Sequence, residues 1–296
     1  RGLVGSEMCI RDSSTIEDIE TTEYFSGDAT HQNFLGQINA ANAYQHLVQN
    51  GKNYFGDDIN LAIADTGVLA THSDLDGNFN TTYSNITTDS DGHGTHVAGI
   101  AAAERNGSGM HGVAPNASIV AIDFNDDPGW RTTLINSNAG VVNNSWSFVS
   151  DPTGSFAESF KDNYIVPTIA ANTKLVIIFA NGNDNDPEPS TLALLADDSE
   201  LNGRMITVGA LDANNERANY SNACGAVANY CLFAPGGDST QGRRVYSTYN
   251  NNDYALAQGT SMAAPVVSGA VAVIQSAWPA LSPATVAQLL FDTATD

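Results

Sequence analysis

Apolar residues at Phe34, Leu35, Ile38, Ala41, Tyr44 and Val48 recur at helical spacing, which predicts a surface helix ahead of the core. The pattern then changes to short continuous apolar runs at Ile59 to Ala64, Ser118 to Ile122, Val141 to Asn143, Leu175 to Ala180 and Met205 to Gly209. Runs of that length and composition suit strands covered on both faces, as in parallel sheets. Helical stretches fall between or after them, near His93 to Ala103, Phe156 to Ala171, Ser261 to Ala277 and Pro283 to Asp292. Strand and helix in alternation predict an α/β fold: a doubly wound, mostly parallel sheet with helices on both faces. The longest strongly apolar run, Leu175 to Ala180, is too short to span a bilayer, so no membrane insertion is expected of this segment.

Sheets of this kind bind ligands outside the carboxyl ends of their strands. The first predicted strand delivers Asp65 to that edge, in Asp65-Thr66-Gly67. His93, in Gly92-His93-Gly94-Thr95-His96, and Ser261, in Gly259-Thr260-Ser261-Met262-Ala263-Ala264-Pro265, each open a predicted helix. The positive end of a helix at Ser261 favours a developing oxyanion, and Pro265 is expected in the first turn, where a missing N–H costs little. An acid, a base and a nucleophile in this order can hydrolyse an acyl bond: the imidazole takes the hydroxyl proton and the carboxylate holds the imidazole. No histidine follows Ser261, which excludes the Ser, acid, His order of α/β-hydrolases.

Other readings of these residues fare worse. An aspartic protease needs a second Asp-Thr-Gly or Asp-Ser-Gly, which the chain lacks. His93 and His96 have no third ligand in sequence and no His-Glu-x-x-His pattern, so His96 is read as a packing residue. His31, His46, His72 and His111 read as ordinary surface or loop residues.

The motifs, their order and the blocks Gly112-Val113-Ala114-Pro115, Val142-Asn143-Asn144-Ser145-Trp146 and Ile206-Thr207-Val208-Gly209-Ala210 resemble the subtilisin-like serine proteases from about Leu35 to Asp296. The resemblance implies that Asp65, His93 and Ser261 are acid, base and nucleophile. It also implies that Asn183, in Phe179-Ala180-Asn181-Gly182-Asn183, donates to the oxyanion. By the same resemblance Ser145, Trp146 and Ser147 line the substrate strand, although Ser147 and Phe148 stand where the family usually has small residues or glycine. For Trp146, packing in the core is the alternative. Asn143-Asn144-Ser145-Trp146 and Tyr220-Ser221-Asn222-Ala223-Cys224 look most like the subtilase passenger domains of bacterial autotransporters.

Composition refines this picture. Leu3 to Asp12 reads as a translated sequencing adapter, so residues 1–13 are set apart as an artefact and 14–296 are read as one catalytic domain, truncated at both ends. Cys9 leaves with the leader, and the remaining pair, Cys224 and Cys231, suggests a disulfide and hence a periplasmic or external location. The alternative is two free buried thiols. The net charge of −22 is unchanged by the excision and argues against nucleic acid as a partner. Structural calcium, common among subtilases, would draw on Asp74, Asp76, Asp89 and Asp91, or on Asp123, Asp126 and Asp127. No cofactor is expected for the chemistry. Asn183 to Asn202, with Pro187 and Pro189, reads as a polar surface excursion near the site. The expectation is a monomeric, secreted or surface-exposed serine endopeptidase acting on polypeptides; the alternative is a secreted, non-catalytic binding module on a protease fold.

Overall fold

A computed structural model of the chain describes residues 33–125, 129–147 and 154–295. The N-terminal leader with Cys9, and also His31, Asp126, Asp127 and Phe148, lie outside the described residues. Six parallel strands form the central sheet: β1 (Asn60–Asp65), β2 (Ser118–Asp123), β3 (Val141–Asn144), β4 (Val176–Ala180), β5 (Met205–Leu211) and β6 (Cys231–Pro235), in the order β2-β1-β3-β4-β5-β6. Side chains alternate between two cores, as strand geometry requires. From β1, Leu61 and Ile63 enter the core shared with helices His93–Ala102 and Thr260–Ala277, while Ala62 and Ala64 enter the one shared with Trp130, Leu134, Ile165 and Ile169. Both faces are therefore covered, which is the doubly wound architecture expected.

The strand order reverses at β1, whose neighbours are β2 on one side and β3 on the other. The crevice at such a switch point opens beyond the carboxyl ends of β1 and β3. Residue 65 ends β1, residue 145 follows β3 and residue 183 lies just past β4, so three adjacent strand ends, spaced about 4.8 Å apart, carry the segments of interest.

Helix Thr260–Ala277 is long and apolar enough by composition to cross a membrane, with mean hydropathy 1.3, but 83% of it is buried inside the fold. It is the central helix of a globular core. Pro265 is not in its first turn as expected, because the helix begins at Thr260 and the proline is interior. Its missing N–H leaves the carbonyl of Ser261, four residues back, without its helical partner. That carbonyl accepts the Ser145 hydroxyl at 2.8 Å instead.

Several elements differ from the sequence expectation for local physical reasons. The predicted N-terminal helix is two, Phe34–Gln37 and Ala40–Gln49, divided at Asn39 in the left-handed region (φ 57°). Strand β6 is short and ends in a proline at the sheet edge, and the antiparallel hairpin β7 (Val245–Tyr249) and β8 (Asp253–Ala257) has its apolar residues broken by Ser247, Thr248 and Asp253, so neither stands out as an apolar run. The segment 155–171 is helical throughout but widens to a π turn at Lys161–Ile165, one residue short of Pro167. There the nearly buried Lys161 ammonium meets Asp198 at 2.7 Å, Glu158 at 2.8 Å and Glu200 at 3.1 Å, and these carboxylates raise its pKa. His72 and His111 lie in loops, as expected, but are buried, each hydrogen-bonded to a backbone carbonyl, of Asp253 and Gly112. Within the segment 183–202, residues 183–188 are exposed, as are Asp197, Ser199, Glu200 and Asn202, but Leu192, Ala193, Leu195 and Leu201 are core residues.

Tyr44 fastens the N-terminal helices to this core, its ring edge-on to Phe55 and its hydroxyl donating to the Val113 carbonyl at 2.6 Å in a buried setting. Tyr44→Phe strands that carbonyl and is expected to cost about 1–2 kcal/mol of unfolding free energy, measured by urea titration.

Candidate active site

Asp65 is 2% exposed, and its Oδ1 accepts the Thr66 N–H at 2.8 Å and lies 2.6 Å from His93 Nδ1. That bond leaves the other imidazole nitrogen, Nε2, for a second partner. Gly94 allows the approach: a Cβ there would collide with the Gly67 carbonyl and touch Asp65. Helix His93–Ala102 is aimed by Asp89, whose Oδ1 accepts Gly92 N–H (2.9 Å), Asp91 N–H (3.1 Å) and Thr66 Oγ1–H (3.0 Å), and whose Oδ2 accepts Thr95 N–H (2.9 Å) and Oγ1–H (2.7 Å). These bonds satisfy N–H groups that a helix start leaves open. Asp91 Oδ1 takes the His93 N–H at 3.2 Å.

Burial disfavours protonated His93, but the hydrogen bond to Asp65 and the charges of Asp65, Asp91 and Asp89 together outweigh it, so its pKa is raised above 6.5. His96, one turn on, is fully enclosed; burial lowers its pKa to about 4, and its Nε2 lies 3.1 Å from the Ala255 carbonyl. It is a neutral packing residue, as expected.

Ser261 and Ser145 exchange two hydrogen bonds: Ser261 Oγ donates to the Ser145 carbonyl at 3.0 Å, and Ser145 Oγ donates to the Ser261 carbonyl at 2.8 Å. Asn143 Nδ2 supports Ser145 Oγ at 2.9 Å, and Ser268 Oγ donates to Asn143 Oδ1 at 2.9 Å. The nucleophile candidate is thereby held at the carboxyl end of β3, beside the strand that carries Asp65. Among the described residues no hydrogen bond joins His93 to Ser261, so the hydroxyl has to rotate off the Ser145 carbonyl to reach the imidazole. In the first turn of the Ser261 helix, Thr260 N–H is taken by Asn183 Oδ1 (2.8 Å), and Met262 and Ala263 N–H groups bond the Gly259 carbonyl. The Ser261 N–H has no partner among the described residues. Asn183 is exposed, and the Thr260 hydroxyl also donates to its Oδ1 at 3.1 Å, so its NH2 group faces away from Thr260 and is free to donate.

The substrate-strand positions divide. Ser145 is buried and committed to Ser261, while Ser147 is exposed. Trp146 is half-buried; its indole N–H donates to the Ala64 carbonyl at 2.9 Å and its ring packs on Phe124, Phe160 and Phe179, so most of it supports the end of β1. Cys224 and Cys231 are joined in a disulfide, and Asn181 Nδ2 lies 3.4 Å from Cys231 Sγ.

Among the described residues the carboxylates considered for calcium do not gather into one donor set. Both oxygens of Asp89 are saturated by the helix start, and Asp91 Oδ1 is taken by the His93 N–H. Asp74 is buried with Oδ2 on Met110 N–H and the Tyr254 hydroxyl, and Asp123 Oδ1 holds the Asn125 N–H. Among the described residues no group of three or more His, Cys, Asp or Glu stands together as metal donors. Two residues that organise the site escaped sequence reading: Asp89, whose signal was an aspartate shortly before a helix, and Thr260, whose partner Asn183 is distant in sequence.

Geometry of this kind suits acyl transfer to a serine hydroxyl and puts the molecule in the class of α/β serine peptidases. Residues 56–296 match the subtilase family, and the chain belongs to that family of subtilisin-like serine endopeptidases. It is 34% identical to subtilisin DY of Bacillus licheniformis over 82% of this chain and 86% of that protein. It is 33% identical to an extracellular serine protease of Serratia marcescens over 83% of this chain, but spans only 30% of that protein's length. A cold-adapted subtilisin-like serine proteinase of known crystal structure superposes with a TM-score of 0.64 at 25% identity, over 83% of this chain and 87% of that one. Subtilisins need no cofactor for catalysis and often bind structural calcium.

Because His93 holds its proton more tightly than free imidazole, its neutral form is lost as pH falls through a midpoint above 6.5. Imidazole NMR is expected to show that midpoint, and Asp91→Asn, which removes one of the raising charges, is expected to move it down.

Proposed function

We propose that the protein is a secreted serine endopeptidase in which Asp65, His93 and Ser261 act as acid, base and nucleophile and Asn183 as oxyanion donor. The observation that carries this reading is the 2.6 Å Asp65–His93 contact at the strand end next to the one that holds Ser261. Neutral His93 takes the Ser261 proton at Nε2 as Oγ attacks the scissile carbonyl. Asp65 keeps Nδ1 protonated and stabilises the imidazolium that forms. The unpartnered Ser261 N–H and the Asn183 NH2 receive the negative charge on the substrate oxygen. Imidazolium then protonates the leaving amine, and a water deprotonated by His93 releases the acyl group from Ser261. The substrate is a polypeptide lying along residues 145–147, with Ser147 and the exposed part of Trp146 facing it.

The wider setting is part of the same proposal. The disulfide and the extracellular Serratia relative support export, and the Asn143 to Trp146 and Tyr220 to Cys224 segments support a passenger domain of a bacterial autotransporter. Residues 14–296 are read as one monomeric catalytic domain, and the charge of −22 disfavours nucleic acid. One observation favours the second reading, a non-catalytic binding module: the Ser261 hydroxyl rests on the Ser145 carbonyl.

Stoichiometric labelling by a fluorophosphonate, lost in Ser261→Ala, is expected, whereas folded protein that takes no label would establish the binding module. With a chromogenic peptide, Ser261→Ala is expected to lower kcat by about six orders of magnitude and Asn183→Ala by about two to three, the losses known for subtilisin itself.

A further inference from the structure

The loop that carries Asn183 leaves β4 at Asn181 and has no regular structure until Ala193, so its own backbone cannot fix the oxyanion donor. Thr260 Oγ1 accepts the Gly182 N–H at 3.1 Å, the Tyr220 carbonyl accepts the Asn185 N–H at 2.8 Å and the Asp186 carbonyl accepts the Ala223 N–H at 2.9 Å, but one residue from another loop makes more hydrogen bonds to residues 181–186 than any of these. Asn222, 3% exposed, makes four hydrogen bonds to it: its N–H donates to the Gly182 carbonyl (3.0 Å), its Nδ2 to the Asn181 carbonyl (3.2 Å), and its Oδ1 accepts the N–H groups of Asp184 (2.9 Å) and Asp186 (3.0 Å). These contacts fall on both sides of Asn183 and none on Asn183 itself. Gly182 (φ 108°) lets the amide in, since a Cβ there would lie 2.7 Å from Asn222 Nδ2. Asn222 is anchored in turn: Ser221 Oγ donates to the Asn222 carbonyl at 3.0 Å and accepts the Ala210 N–H of β5 at 2.9 Å. Two residues on, Cys224 is tied to Cys231 at the start of β6.

We propose that Asn222 is a positioning residue for the reaction: its buried amide clamps residues 181–186 between β4 and β5 and so sets the height of Asn183 over the nucleophile. Thr260 orients the Asn183 side chain and also takes the Gly182 N–H, and Asn222 holds the backbone on both sides of Asn183. The effect on rate follows from geometry, because an oxyanion donor acts over a narrow distance range and a displacement of about 1 Å is worth up to a hundredfold. Ground-state binding along residues 145–147 does not depend on this loop. The proposal rests on the oxyanion role of Asn183.

The test is a double-mutant cycle with a peptide p-nitroanilide. Asn222→Ala in the otherwise native enzyme is expected to lower kcat about tenfold to a hundredfold with KM within about twofold. In an Asn183→Ala background the same change is expected to alter kcat by less than about twofold, because the interaction it positions is already gone. An equal loss in both backgrounds, or no loss of kcat in the native background, overturns the proposal. Asn183→Ala with unchanged kcat overturns the oxyanion reading itself, and is read from the single variant alone. Thermal unfolding reports whether the variants fold; Asn222→Asp, which keeps the shape and the acceptor, goes through the same cycle if the alanine variant does not.

Discussion

The two hydrogen bonds exchanged by Ser145 and Ser261 fasten the first turn of the central helix to the end of β3, and most of the site is arranged around that junction. A proline inside a buried helix frees a carbonyl that low-dielectric surroundings make expensive to leave unpaired. Here the freed carbonyl belongs to Ser261, and the hydroxyl that satisfies it comes from the end of β3. One interaction thus repairs a break in the helix and registers the helix against the sheet. With its first turn in place, Thr260 reaches Asn183, and the Ser261 N–H is left as the open donor.

Charge is distributed unevenly for a chain this acidic. Most carboxylates are solvated, but Asp65 and Asp89 are buried where each does a defined task, one holding an imidazole and the other a helix start. Three of these carboxylates, Asp65, Asp91 and Asp89, also raise the His93 pKa. Lys161 shows the reverse case, a cation removed from solvent among Asp198, Glu158 and Glu200, tying the widened helical segment to the loop before β5.

Much of the fold was legible because its signals are local. The five apolar runs became β1 to β5 within a residue or two, and the helices at His93, Ser261 and Pro283 began within one residue of expectation. The hairpin β7–β8 was not legible, since Ser247 and Thr248 interrupt its first strand and its pairing depends on packing against the His93 helix, where those two hydroxyls donate to the carbonyls of His96 and Thr95. His72 and His111 look like loop residues in sequence and are buried, because burial depends on what folds over a loop. Asp89 resembles a metal carboxylate until the five donors around it are seen.

By itself the sequence determined the alternation of strand and helix, the residue types able to serve as acid, base and nucleophile, and their order along the chain, because periodicity and chemical identity are properties of short segments. The tertiary structure alone decided that Ser145 satisfies the carbonyl Pro265 frees, that Asp89 caps a helix instead of gathering with other carboxylates, and that Asn222 clamps the loop of Asn183. Each of these joins groups brought together by sheet order, and hydrogen-bond geometry between segments distant in sequence leaves no periodic trace along the chain.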